Sequence, residues 1–331
     1  MKRLAFQILG MVLASQLASP ALAQSGHPSA SLQQRDARVN AHATEEVLLA
    51  TALASSRIVA VGDHGTVVLS DDGGKTFRQA KTVPTRVALN GVSFSDAQNG
   101  WATGHWGTII RTVDGGETWT LQRTDTQTDR PLFAIHASDA QHGVAVGLWS
   151  LLLTTQDGGQ HWQEVSLQAP PDGGKADRNL LGIFSSGSTL YVAAERGAVL
   201  QSSDFGNSWT YLMTGYGGSF WTGTALKDGS LLVAGLRGTV YRSADAGKTW
   251  HAVESGTKSS VTGLAEVGDS VMAVALDGVV LQSKDHGASF KATQREDRTS
   301  LTSVMASANG RDVIATSKHG IVADLIPLGR H

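Results

Sequence analysis

Cysteine is absent from all 331 residues. The chain therefore has neither disulfides nor thiolate metal ligands, and its core must hold it alone. Proline is scarce, at seven residues, and aromatic residues make up only 6%. Charged residues amount to 17%, a low share for a globular chain, and the formal net charge is −2. That near balance excludes bulk attraction to nucleic acid or an acidic membrane, so electrostatic recognition must be local. After residue 23 no apolar run is long enough for a membrane helix, and nothing reads as a long amphipathic helix. No G-x-S-x-G elbow, phosphate loop or metal motif is present, and no cofactor is expected.

Glycine, by contrast, is abundant at 38 residues, which points to many tight turns. The first 23 residues have the form of a secretory signal peptide. Lys2 and Arg3 start it, a short apolar stretch follows, and Ala21-Leu22-Ala23 forms a small-x-small site with cleavage expected before Gln24. The mature protein is expected to be exported, most simply to a bacterial periplasm. The roughly 308 residues that follow are enough for one continuous core.

A repeat dominates that remainder. The acidic string "SDDGGKTF" at 70–77 returns as "TVDGGETW", "TQDGGQHW", "SSDFGNSW", "SADAGKTW" and "SKDHGASF". Seven residues before each repeated Asp stand Gly65, Gly107, Ser150, Gly197, Gly238 and Gly278, with a further match at Gly320; the steps are 42, 43, 47, 41, 40 and 42 residues. Before each string lie two alternating or β-branched runs joined by a two-residue turn, as in "RIVAVGDHGTVVLS" (57–70). A further strand precedes the pair, as in "LNGVSFS" (89–95), and a fourth follows the string. Four antiparallel strands per unit of about 40 residues is the arithmetic of a propeller blade, so the prediction is an all-β, seven-bladed β-propeller over 44–331. The prolines at 84, 131, 170, 171 and 327 fall at turns or strand ends, where a sheet tolerates them. "QAPPDGGKADRN" (168–179) is an enlarged loop that accounts for the 47-residue step. The seventh unit lacks an outer strand, and the arm at 24–43, through "DARVNAHA" (36–43), is expected to supply it.

The six strings are read as a structural device. Asp72, Asp114, Asp157, Asp204, Asp245 and Asp285 can each accept hydrogen bonds from turn N–H groups, the following Gly can take positive φ, and the closing aromatic can pack between blades. A calcium loop would need alternating oxygen ligands, whereas only one carboxylate recurs per copy.

The string resembles the Asp-box, S-x-D-x-G-x-T-W, of bacterial neuraminidase repeats. Taken with "GxxGxVxxSxDxGxTW" units of about 42 residues, the chain is similar to the photosystem II stability and assembly factor-like family, which also occurs in non-photosynthetic bacteria. It departs from the pattern at Ser150, at His161 and in the box-less seventh unit. The resemblance implies a seven-bladed propeller that assists assembly of a membrane complex by binding an unassembled subunit. Sialidases, which share the Asp-box, imply an enzymatic alternative with an arginine cluster, a Tyr nucleophile activated by Glu, and an Asp acid. Tyr216, Glu195 and Asp277 are available for it, but "SRIVAVG" stands where an Arg-Ile-Pro signature belongs.

In a propeller the turns between strands two and three share one face with the links between blades, and the acidic turns lie on the other. The links carry Arg86, Arg130, Arg178 and Arg298 at nearly the same place in four units. Arg196 and Arg237 at turn tips, and Tyr216 in the blade-five link, are expected to join them at the channel mouth. Either these guanidinium groups grip a carboxylate or phosphate, or Asp129, Asp177 and Asp297, each directly before an Arg, neutralise them. Trp106 and Trp149 at turn tips are either exposed anchors or folded back on neighbouring loops. His64, His105 and His319 share the turn position, but such tips stand too far apart for one metal. The expected function is a non-catalytic binding and assembly factor. It would be a monomer outside its complex, docking an acidic or C-terminal carboxylate segment of a membrane or exported protein, with no nucleic acid partner and no metal.

Overall fold

A computed structural model gives the structure of the chain and describes residues 34–322 with Asp324 and Leu325. The expected signal peptide at 1–23 and the arm as far as residue 33 lie outside the described residues.

Blade one shows how each unit is built. Its strands Leu48–Ala54, Arg57–Gly62, Val67–Ser70 and Arg78–Gln79 pair antiparallel in sequence order. Five further sheets repeat that order with four strands, and the seventh has three among the described residues: Leu301–Ala306, Val313–Ser317 and Gly320–Val322. The second strands are buried almost throughout, as "RIVAVG" shows, because both of their faces meet a neighbouring blade. The fold is the predicted seven-bladed β-propeller. Among the described residues no helix is long and apolar enough to cross a membrane.

The innermost strands surround a central channel of about 220 Å³, to which each blade contributes three consecutive residues, from Leu49–Thr51 in blade one to Thr302–Val304 in blade seven. Every innermost strand carries a bulge directly after its first residue. A bulge breaks the two-residue alternation, so the first residue turns away from the channel into the seam between blades. Leu48, Leu89, Leu132, Leu180, Phe220, Val261 and Leu301 occupy that position and are all fully buried. Nothing in the repeated strings signals this bulge.

Seven apolar clusters fill the seven seams, one to each. The seam between blades one and two joins Val59, Val61 and Leu69 to Leu89, Ala102 and Ile110, with Trp119 at its edge. The last seam closes the ring, with Ile321 and Phe77 packed on Leu48, Ala60 and Val68. Polar contacts reinforce it: Thr302 Oγ1 donates to the Leu48 carbonyl (2.5 Å), and the Thr51 and Ser303 hydroxyls lie 2.8 Å apart.

Two expectations are corrected. Residues 36–43 add no strand to blade seven. They run across blade one instead, where the Ala37 N–H donates to the Val83 carbonyl (2.8 Å) and Gln79 binds the backbone at both Arg38 and Asn40. The reason is steric as well as polar: Gly65 has no side chain, and Ala37 packs over the space this leaves. The two-residue turns are, in blades one, two, three, five and six, single turns of 3₁₀ helix of three residues, such as Asp63–Gly65, whose middle residue is left-handed. The third position lies beside the next link, and in blade three it is Ser150, whose N–H donates to the Arg178 carbonyl (2.8 Å). At Gly238, with φ +73°, a Cβ would meet the Thr257 carbonyl oxygen at 2.2 Å.

Leu89→Ala in the first seam is predicted to destabilise the fold by about 2–5 kcal/mol in urea unfolding. Gly238→Ala is predicted to cost more than about 2 kcal/mol, from left-handed strain together with the backbone collision. A loss below about 1 kcal/mol in either variant would contradict this account of the seams and links.

Candidate binding face

The six acidic turns share one hydrogen-bond scheme on the face opposite the turn tips. In the fifth, the Ser243 hydroxyl donates to Asp245 Oδ1 (2.8 Å) and accepts from the Gly247 N–H (2.8 Å). Asp245 then accepts the Thr249 N–H (2.9 Å) and hydroxyl (2.7 Å). Asp72, Asp114, Asp204 and Asp285 repeat it with Thr or Ser, and Asp157 repeats it with His161 Nδ1 in place of a hydroxyl. Both oxygens of each carboxylate are thus engaged within the turn. The Thr249 hydroxyl, and then its N–H, hold the Asp245 carboxyl at about 2, and Ser289 does the same for Asp285. Among the described residues no group of three or more His, Cys, Asp or Glu is placed to hold a metal. The closing aromatics Trp119, Trp162, Trp209, Trp250, Phe290 and Phe77 each pack into a seam.

On the tip face the arginines do not form one uniform cluster. Arg178 is 1% exposed, so it leaves the surface; it donates to the Asp172 carboxylate, lies 5.9 Å from the Tyr211 ring, and anchors the long loop from within. Arg130 pairs with both oxygens of Glu164 (2.9 and 3.2 Å) on the outer strand of blade three. Arg86 gives its Nε to the Asp36 carbonyl (2.6 Å). Arg196, Arg237 and Arg298 are exposed and form no ion pair among the described residues. Two of the adjacent aspartates are committed elsewhere: Asp129 accepts from the Trp106 N–H and contacts His105 Nδ1 (3.0 Å), and Asp297 pairs with Arg295.

Tyr216 does not project at the channel mouth. Its ring packs on Phe220 and Tyr241, with centroids 5.3 and 5.8 Å away, and its hydroxyl donates to the Leu236 carbonyl (3.3 Å). The apolar blade-four/five seam outcompetes solvent for this side chain. Trp149 is 57% exposed, whereas Trp106 is half-buried and held by Asp129 and by the Asp125 N–H at its carbonyl. His64 and His105 face different carboxylates, Glu46 and Asp129. Arg35 and Arg38, which no repeat pattern singles out, line a cavity of about 630 Å³ with Arg86, His64 and Glu46. Their only signal in the sequence is two arginines in an arm outside the repeat.

The model of the family described as photosynthesis system II assembly factor YCF48 matches residues 122–323. The chain belongs to this family. No curated protein matches. Among solved structures the chain is similar to YCF48 bound to D1 peptide, with TM-score 0.67 and 17% identity over 87% of this chain and 94% of that one. It is also similar to YCF48 from Cyanidioschyzon merolae, with TM-score 0.63 and 16% identity over 84% and 95% of the two chains. The GH74 enzyme of Niastella koreensis superimposes as well, with TM-score 0.65 and 15% identity, but this chain spans only 53% of its length while 87% of this chain is covered. At these identities the structural likeness establishes the family's propeller fold and not a shared site.

Ser243→Ala removes the hydroxyl that ties the Asp245 carboxylate to the Gly247 N–H and is predicted to cost about 1–2 kcal/mol. The carboxyls of Asp157, Asp245 and Asp285 lie at about 2 in the fold, below their ordinary 3.8. They therefore bind protons more readily when unfolded, so their stabilisation is complete above about pH 4 and is lost as the pH falls toward 2. Unfolding followed from about pH 6 to about pH 2 should show that decline, and Asp245→Asn combined with Asp285→Asn should flatten it. An unchanged acid limb in the double variant would contradict the scheme.

Proposed function

We propose that this protein is an exported, non-catalytic binding and assembly factor that docks an acidic or carboxylate-ended segment of a membrane or envelope protein on its tip face. The observation that carries this reading is the run of tips on three successive blades. Exposed Trp149, Arg196 and Arg237 form an aromatic anchor followed by two guanidinium groups without an ionic partner, and the adjacent Glu195 carboxylate is occupied by the Asn179 N–H and Nδ2 (both 2.9 Å). Exposed, unneutralised guanidinium groups suit carboxylates, and an aromatic beside them supplies apolar contact. Family membership and the D1 peptide bound to one solved relative support a polypeptide ligand. The leader-like residues 1–23 support export to a periplasm, where the protein would act as a monomer outside its complex.

A glycoside hydrolase is the competing reading, since GH74 enzymes share the fold. Against a sialidase-type enzyme, the trio is not assembled: the Tyr216 hydroxyl donates to a main-chain carbonyl, Glu195 holds Asn179, and Asp277 holds the Ser259 hydroxyl (2.8 Å).

Affinity capture from solubilised membranes should lose its partners when Arg196, Arg237 and Arg298 are all changed to Glu, with the fold intact by circular dichroism. Unchanged capture would remove the docking face from the argument. Turnover of a fluorogenic sialoside or a xyloglucan oligosaccharide by the purified protein would establish the hydrolase instead.

A further inference from the structure

The N-terminal arm, the blade-one tip and the link after it together build a cavity that no acidic turn or seam accounts for. Four contacts pin the arm there: Ala37 to Val83, the Asn40 N–H to Gln79 Oε1 (2.9 Å), Gln79 Nε2 to the Arg38 carbonyl (2.8 Å), and Arg86 Nε to the Asp36 carbonyl (2.6 Å). The last contact matters most for chemistry. It fixes the Arg86 guanidinium by its Nε, and its two terminal nitrogens, a fork on a residue that lines the cavity, make no hydrogen bond among the described residues. Such a fork matches a carboxylate, and its ordering has already been met by the arm.

Charge and shape narrow the ligand. Arg38 and Arg86 face one lining carboxylate, Glu46, which is itself held by Asn40 Nδ2 (2.7 Å) and lies 3.8 Å from His64 Nδ1. The wall thus carries an excess of cations that favours an anion. Val39, also in the wall, is 92% exposed and has no apolar cover. A free phosphate would leave that valine unused, whereas an α-carboxylate with an apolar side chain on the same residue satisfies both parts. We propose that this cavity binds the C-terminal residue of a polypeptide, its carboxylate on Arg86 and Arg38 and its apolar side chain on Val39. The inference rests on the docking reading for its polypeptide partner and adds a second contact point, on blade one, to the tips of blades three to five.

The test titrates the full chain with N-acetyl-Gly-Ala-Leu carrying a free C-terminus, with the same peptide as its C-terminal amide, and with inorganic phosphate, following the Val39 and Arg86 signals by NMR. The free acid should shift both signals and bind about tenfold or more tightly than the amide. Arg86→Gln should weaken the acid to the level of the amide. Because that change also releases Asp36, Arg38→Gln serves as the second variant: Arg38 meets Gln79 through its carbonyl, so the arm stays in place while acid binding falls. Val39→Ser should weaken the acid and leave phosphate unaffected. Equal binding of acid and amide, binding of neither, or phosphate binding as tight as the acid would overturn the proposal. Membrane capture separates the two readings. Capture that survives Arg38→Gln with Arg86→Gln but fails in the Arg196, Arg237, Arg298→Glu variant removes the pocket alone. Capture that survives both sets removes the docking reading, and the peptide titration then judges the pocket by itself.

Discussion

A four-stranded blade of this protein cannot cover its own faces; only the next blade can. The second strands are apolar on both sides, so each sheet buries its faces only as one slice of a closed stack. With no cysteine to staple the chain, the hydrophobic term in seven small clusters carries the fold. The seam that closes the ring is the one the chain meets last, between Ile321 and residues such as Leu48 and Val68 near the opposite terminus. Its contacts have a very large sequence separation, so the loop-closure entropy of nearly the whole chain is set against one interface.

The two faces follow from that closure. The acidic turns lie on one side, with both carboxylate oxygens used inside each hairpin and their aromatics plugging seams. The tips and links lie on the other, where glycines let links pass against turn backbones and leave side chains such as Trp149 and Arg237 outside. The acidic-turn chemistry is thus concentrated at one end of the ring, and exposed aromatic and cationic side chains at the other. Arg178 is an exception on the tip side, drawn inward to anchor an enlarged loop through Asp172.

Much of this was legible from spacing. The repeated Asp and the Gly or Ser seven residues before it located six blades and the match at Gly320 a seventh, and the innermost strand at Leu89 begins where the pattern placed it. The bulge after each first residue was not legible, because a bulge changes pairing and not composition. Register in the linear pattern placed Arg86, Arg130, Arg178 and Arg298 in the links between blades. It could not reveal that Glu164 neutralises Arg130 or that Tyr216 packs among Phe220 and Tyr241, since those partners are set by side-chain competition in three dimensions.

The sequence by itself determined the blade, its number of copies and the side on which each class of residue emerges, because these are periodic properties and a period survives without coordinates. Tertiary structure alone decided the course of the arm. Residues 36–43 have strand-like alternation suited to an open edge, yet they lie across blade one, where Gln79, Val83, Gly65 and Arg86 offer a matched set of polar and steric contacts. A segment outside the repeat goes where its partners are, and those partners, from Gly65 to Arg86, come together only when blade one and its link to the next blade have folded.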